Sequence, residues 1–116
     1  MKGTKLTICA AVAGLAFTGA AVAAPTATTV TVTAGKPSEL KFTLSKKSVA
    51  AGAVTFKVTN KGKSTHDFKI SGKKTKLLAA GKSATLKVTL KKGKAAFLCT
   101  VPGHAAAGMK GTVTVK

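Results

Sequence analysis

The sequence predicts an all-β protein, a single antiparallel Greek-key β-sandwich that follows an N-terminal signal peptide. From about residue 28 onward, apolar and polar residues alternate with a period of two, which indicates strands with one buried face. Clusters of Gly, Pro, Asn and Ser separate these alternating segments and mark turns. Helical spacing of apolar residues never continues for long. About seven short strands separated by turns are typical of a β-sandwich.

Residues 1–23 are expected to be a secretory signal peptide. Lys2 and Lys5 precede an apolar stretch over residues 6–16, and small residues lead to a cleavage site before Ala24. The alternative is a membrane anchor, but the apolar stretch is shorter than the ~20 residues that a spanning helix needs. We therefore expect a mature domain over residues 24–116 that is exported to a periplasmic or extracellular location.

Each predicted strand is recognised by its alternating apolar residues. In chain order these residues are Val30 and Val32; Leu40, Phe42 and Leu44; Val54, Phe56 and Val58; Phe68 and Ile70; Leu86, Val88 and Leu90; Val113 and Val115. Residues 95–99 break the alternation because both faces are apolar there. This predicts a central strand that is covered on both sides, or one that leads into a buried site.

The charge of the chain is strongly positive. All 20 basic residues are lysines, and cleavage would leave 18 of them against Glu39 and Asp67, about +16. Nucleic-acid binding is not expected, because the chain has no Arg for base reading and no Trp or Tyr for stacking. Lysines that alternate with buried residues instead form a solvated face. The charge also predicts acidic protein partners or an anionic envelope surface.

Cleavage would leave one cysteine in the mature chain. Cys9 would be removed with the signal peptide, so that Cys99 has no intramolecular disulfide partner. An unpaired cysteine in an exported protein indicates either intermolecular pairing or a specialised thiol. The residues that surround Cys99 favour metal binding as its role.

Cys99, His104 and Met109 form a Cys-x4-His-x4-Met sequence between an apolar segment and the last predicted strand. His66, the only other histidine, opens an earlier strand. Taken singly, each has an ordinary explanation: a buried cysteine, surface histidines and a core methionine. Together, two imidazoles, a thiolate and a thioether match the donor set of a blue copper site with a weak axial Met. We therefore predict His66, Cys99, His104 and Met109 as ligands of one copper ion.

The mature chain resembles the cupredoxins, the plastocyanin/azurin-like blue copper proteins. The resemblance lies in Gly-Ala-Val-Thr-Phe-Lys-Val-Thr-Asn at 52–60 with His66, and in Cys-Thr-Val-Pro-Gly-His at 99–104 with Met109. It implies a cupredoxin-like copper-binding domain that shuttles single electrons between Cu(I) and Cu(II). It also implies that Asp67 ties its loop to the Cys99 loop through Thr100, and that His104 presents its ring edge at an apolar surface patch.

Two other functions remain as alternatives. One is a copper capture or delivery protein without an electron-transfer role, for which Met-rich or open ligands are expected. The other is a metal-free cationic envelope protein, which would leave the four-donor pattern unexplained. We expect no enzymatic activity, because four protein ligands leave no ready position for a substrate. The expected partners of a monomeric carrier are acidic redox proteins or membrane oxidoreductases.

Overall fold

The computed structural model describes residues 27–116. The predicted signal peptide, residues 1–23, lies outside the described residues. Nine strands follow one another in the described part of the chain. They are β1 (Thr28–Ala34), β2 (Phe42–Leu44), β3 (Ser48–Val49), β4 (Gly52–Asn60), β5 (Lys69–Ile70), β6 (Lys73–Lys74), β7 (Ser83–Leu90), β8 (Gly93–Leu98) and β9 (Lys110–Val115). Within residues 27–116 no helix is long and apolar enough to cross a membrane.

The strands form the predicted β-sandwich, with sheet orders β2-β1-β4-β7 and β3-β9-β8-β5-β6. The pairing is not antiparallel throughout, which corrects the prediction: β1 pairs with β4, and β3 with β9, in parallel. Alternation shows which face of a strand is buried but carries no information on its direction. After β2 the chain crosses to the second sheet as β3. It then returns to the first sheet as β4, which runs in the same direction as β1. Two further strands, β3 and β6, were not predicted, and each has only two residues.

The core contains a group of four phenylalanines around Phe68. Its ring centroid lies 5.4 Å from that of Phe42, 5.2 Å from that of Phe56 and 5.4 Å from that of Phe97. These rings join aliphatic residues of both sheets, and Phe68 is fully buried. Offset and edge-to-face aromatic contacts add about 0.5–1.5 kcal/mol per pair beyond area burial. Phe68 follows His66 by two residues, so the aromatic group anchors the chain beside the site.

Strand β8 is central in its sheet, as the apolar segment 95–99 predicted. The expectation that both of its faces are covered is wrong, because Ala96 is exposed and only Ala95 and Phe97 are buried within the strand. Alanine is small enough to be tolerated on either face, so its apolar character does not reveal burial. The other half of the expectation is confirmed: β8 leads directly into buried Cys99.

Candidate metal centre

His66 is held in place by backbone hydrogen bonds and by burial. Its N–H donates to the carbonyl of Leu78 over 3.1 Å, and the N–H of Leu78 donates back over 2.8 Å. The side chain is fully buried. Phe68, two residues later, is fixed in the aromatic core. The imidazole therefore has a defined position at one end of the sandwich.

The other predicted ligands lie on the loop that joins β8 to β9. The N–H of Cys99 donates to the Met109 carbonyl over 3.1 Å, and the N–H of Met109 donates to the His104 carbonyl over 3.0 Å. The N–H of His104 donates to the Val101 carbonyl over 3.0 Å. Gly103 has φ 84°, a left-handed conformation that glycine adopts without a Cβ clash. These bonds close the loop so that Cys99 and His104 face the same point.

Three donor atoms converge at this point. His66 Nδ1 lies 3.2 Å from His104 Nδ1, and Cys99 Sγ lies 3.6 Å from His104 Nδ1 and 4.0 Å from His66 Nδ1. A candidate metal-ligating atom of each residue lies within 4.8 Å of the other two. Because two nitrogens and one sulfur meet in a largely buried space, the arrangement fits a soft-to-borderline transition metal.

Met109 lies beside these three residues. It is fully buried and packs in a small apolar group with Cys99 and Ala34, against which Leu40, Phe42 and Val101 also pack. The thioether is therefore in the neighbourhood where an axial donor is needed, and its role as a ligand stays a prediction.

Burial raises the pKa of the Cys99 thiol, and the N–H of Asp67, which donates to Sγ over 3.5 Å, opposes this effect only in part. A bound cation deprotonates a coordinating thiol outright, because the thiolate is the ligand. The N–H of Asp67 is then already placed to stabilise the thiolate. The donor set and its surroundings fit one copper ion.

A family model described as copper binding proteins of the plastocyanin/azurin family matches residues 5–116. The chain belongs to this family. Cupredoxins are thus confirmed as its relatives, and the cofactor is copper at a single type 1 site. No curated protein matches the chain at a significant level.

Solved cupredoxin structures share its fold. Auracyanin B is 25% identical with a TM-score of 0.69, covering 83% of this chain and 93% of auracyanin B. The dithionite-reduced auracyanin of Roseiflexus castenholzii is 26% identical with a TM-score of 0.56, covering 81% of this chain and 99% of that one. Rusticyanin from Thiobacillus ferrooxidans is 21% identical with a TM-score of 0.69, covering 80% of this chain and 79% of rusticyanin. The last comparison concerns the fold alone.

The two ligand loops of this cupredoxin are tied together by Asp67 and Thr100, as the resemblance implied. The N–H of Thr100 donates to Asp67 Oδ1 over 2.6 Å, and the Thr100 hydroxyl donates to Oδ2. Asp67 is almost completely buried. A buried carboxylate needs such donors, because an unpaired buried charge is strongly destabilising. The contact fixes the His66 segment relative to the Cys99 loop.

Sequence reasoning missed Glu39. Its Oε2 lies 2.6 Å from His66 Nε2, its Oε1 accepts from the N–H of Lys63 over 2.8 Å, and Oε2 also accepts from the N–H of Ser64 over 3.1 Å. These backbone N–H groups, with His66, lower the pKa of Glu39 to about 2. A signal was present in the composition: the chain has only two acidic residues, and both contact the ligand loops.

Asn60 is a second residue whose role appears only in the structure. This fully buried side chain donates through Nδ2 to the carbonyls of Ser64 and Leu78, each over 2.8 Å. Its Oδ1 accepts from the N–H of Gly62 over 2.8 Å. Asn60 therefore shapes the loop from residue 61 to residue 65 that delivers His66 to the site.

Proposed function

We propose that this cupredoxin is an exported blue copper protein that binds one copper ion and carries single electrons between redox partners. The observation that carries the proposal is the convergence of His66 Nδ1, His104 Nδ1 and Cys99 Sγ at one end of the sandwich. Copper bound there would exchange one electron between Cu(I) and Cu(II). Export to the periplasm or outside the cell is supported by the signal-like residues 1–23.

The chain itself supports this role by holding its donors still. The His66 segment is paired with Leu78, and Asp67 connects it to Thr100. The Cys99 loop is closed by the bond to the Met109 carbonyl. A carrier that keeps its geometry in both oxidation states needs little reorganisation when it gains or loses an electron. We propose no enzymatic activity, since the four predicted ligands would leave no position for a substrate.

The electron port is proposed to be the surface around His104. This residue is half-buried, and its neighbours on the loop are small and apolar. Pro102, Ala106 and Ala107 are exposed there. A surface of small apolar residues allows a partner to approach the imidazole closely.

Copper capture or delivery is the alternative function. Such a protein would be expected to expose its donors or to carry many methionines. Here His66 is fully buried and Cys99 is 1% exposed. Met109 is the one methionine among the described residues. Electron transfer is therefore favoured.

The partner is proposed to be an acidic redox protein or a membrane oxidoreductase with an acidic face. A row of lysines on the outer face of the second sheet supports this choice: Lys110 pairs with Leu98, Leu98 with Lys69, and Lys69 with Lys74. Paired strands lie ~4.8 Å apart. Like charges directly opposite each other are destabilising. Both acidic residues of the chain are occupied at the metal centre, so an acidic partner would relieve this repulsion.

The experiment is to load the mature protein with Cu(II) and record its copper content and visible spectrum. We expect one copper per chain and an intense charge-transfer band, as for a thiolate-Cu(II) site. Cys99→Ser should lose the band, and Thr112→Ser on the exposed face of β9 should keep it. Copper binding without redox cycling would favour capture or delivery. A colourless wild-type protein would refute the proposal.

A further inference from the structure

We propose that Glu39 is a positioning residue of the copper site, which directs His66 Nδ1 to the metal and stabilises Cu(II) relative to Cu(I). The inference rests on the proposed copper site and adds a residue from a distant loop to it. Glu39 lies between β1 and β2, 27 positions before His66. Its carboxylate contacts the imidazole on the side opposite to Nδ1, so that it acts through the ligand and not on the metal.

The contact between Glu39 and His66 determines which ring nitrogen of His66 is free to bind a metal. A carboxylate is ionised at neutral pH and can only accept hydrogen bonds. At 2.6 Å from Oε2, His66 Nε2 must therefore carry the proton that is shared between them. In the neutral imidazole Nδ1 then has an unprotonated lone pair. This is the nitrogen that lies 3.2 Å from His104 Nδ1 and 4.0 Å from Cys99 Sγ.

The surroundings hold the carboxylate in this position. The N–H groups of Lys63 and Ser64 donate to its two oxygens, so the loop that leads to His66 closes around Glu39. Gly62 leaves the space for it, because a Cβ at this position would collide with Glu39 Oε2. A glycine that makes room for a carboxylate, and two backbone donors that orient it, form a built site for one side chain.

The electronic effect has a definite direction. A hydrogen bond from a ligating histidine to a carboxylate raises the basicity of the other ring nitrogen, and loss of such a partner typically costs 10–100-fold in metal affinity. The more basic nitrogen favours Cu(II), the ion of higher charge. Removal of the carboxylate should therefore weaken Cu(II) binding more than Cu(I) binding, and raise the reduction potential. A tenfold change confined to Cu(II) corresponds to about 59 mV for a one-electron couple.

The test compares three variants of the full mature protein. Glu39→Gln removes the charge at constant size. Gly62→Ala leaves the charge unchanged and displaces the flexible end of Glu39. Thr89→Lys adds one positive charge, which is the same change in net charge as in Glu39→Gln. Thr89 is exposed on β7 and pairs with Ala53, at the opposite end of β4 from Asn60. Cu(II) affinity is measured by competition with a chelator, and the potential by redox titration.

We expect Glu39→Gln and Gly62→Ala to bind Cu(II) at least tenfold more weakly and to have higher potentials, with Thr89→Lys close to wild type. In the copper-free wild type, nitrogen-15 NMR should show the His66 proton on Nε2. A proton on Nδ1 would overturn the proposal, and so would variants that lose stability while their potentials stay at the Thr89→Lys value. If Glu39→Gln fails to fold, Gly62→Ala decides. The copper-free tautomer tests Glu39 even if electron transfer is not the function.

Discussion

The carboxylate of Asp67 accepts two hydrogen bonds from Thr100, one from its backbone N–H over 2.6 Å and one from its hydroxyl. The two residues are 33 positions apart and belong to the two segments that carry the predicted copper ligands. Because Asp67 is almost completely buried, the charge depends on Thr100 for its hydrogen bonds. The pair is therefore a structural link between His66 and Cys99.

Replacement of Thr100 by Val should test this link. The variant keeps the shape of the side chain but removes one donor to a buried charge, and hydrogen bonds to charged groups contribute about 1.5–3 kcal/mol. We expect the free energy of unfolding of the copper-free protein to fall by about that amount in urea titrations. Thr112→Val, on the exposed face of β9, is the control and should change it by about 0.5 kcal/mol or less. Equal effects of the two substitutions would show that the link is not stabilising.

Met109→Leu should change the redox potential more than it changes metal binding. The side chain is fully buried, and Leu has a similar volume, so the substitution should cost less than about 1.5 kcal/mol in stability. An axial thioether contact is weak and long. Its replacement by an apolar group disfavours Cu(II), so we expect retained copper and a higher potential by redox titration. Loss of copper in this variant would instead indicate that Met109 is a strong fourth ligand.

Copper binding should release a proton from Cys99. Burial raises the pKa of this thiol above its ordinary value of 9.0, so the thiol is protonated at pH 7 to 8. The thiolate is the ligand, and the metal must displace that proton. The apparent copper affinity should therefore rise about tenfold per pH unit over this range, as expected for one released proton. Calorimetry in buffers of different ionisation enthalpy measures the proton directly.

Cys99→Ser supplies the control for that experiment. Its hydroxyl does not form an anionic ligand in this range, so the residual binding should release no proton between pH 7 and 8. Wild-type binding that is independent of pH would mean that the sulfur is not displacing a proton, and would count against thiolate ligation.

The lysine row should determine the response to anionic partners. We define it as Lys69, Lys74 and Lys110: Lys69 and Lys110 flank Leu98 beside Cys99, and Lys74 pairs with Lys69 on the next strand. Stopped-flow oxidation of the Cu(I) protein by hexacyanoferrate(III), which takes one electron and becomes hexacyanoferrate(II), should slow as salt rises, because screening is strong when the Debye length is ~10 Å or less. The triple Lys-to-Gln variant of the row should react more slowly and with a weaker salt dependence.

The matched control removes three charges elsewhere. Lys57, Lys87 and Lys92 are exposed, the first two on the outer face of the other sheet, and their replacement by Gln gives the same net charge. If both triple variants slow the reaction equally, total charge and not the row is responsible. If neither affects it, the lysines serve only to keep the protein soluble, and the lysine row gives no support for an acidic partner.

Local patterns in the sequence were sufficient for the sandwich and for the set of donors. Alternation such as Val54, Phe56 and Val58 assigns a buried face, because successive side chains of a strand point to opposite sides. The three donors that meet were recognisable because Cys99 and His104 share one short loop and His66 is the other histidine. A site that depends on residue types at short spacing can be recognised from the sequence alone.

Tertiary structure alone decided how the strands pair and what supports the donors. Alternation has no direction, so the parallel pairing of β1 with β4 was not predictable from it. The exposure of Ala96 was also hidden, since alanine fits either face. Glu39 and His66 meet only because the β1–β2 and β4–β5 loops pack together, with Gly62 leaving room for a carboxylate. Such contacts join residues that are distant in the chain, and their geometry exists only once the sheets have folded.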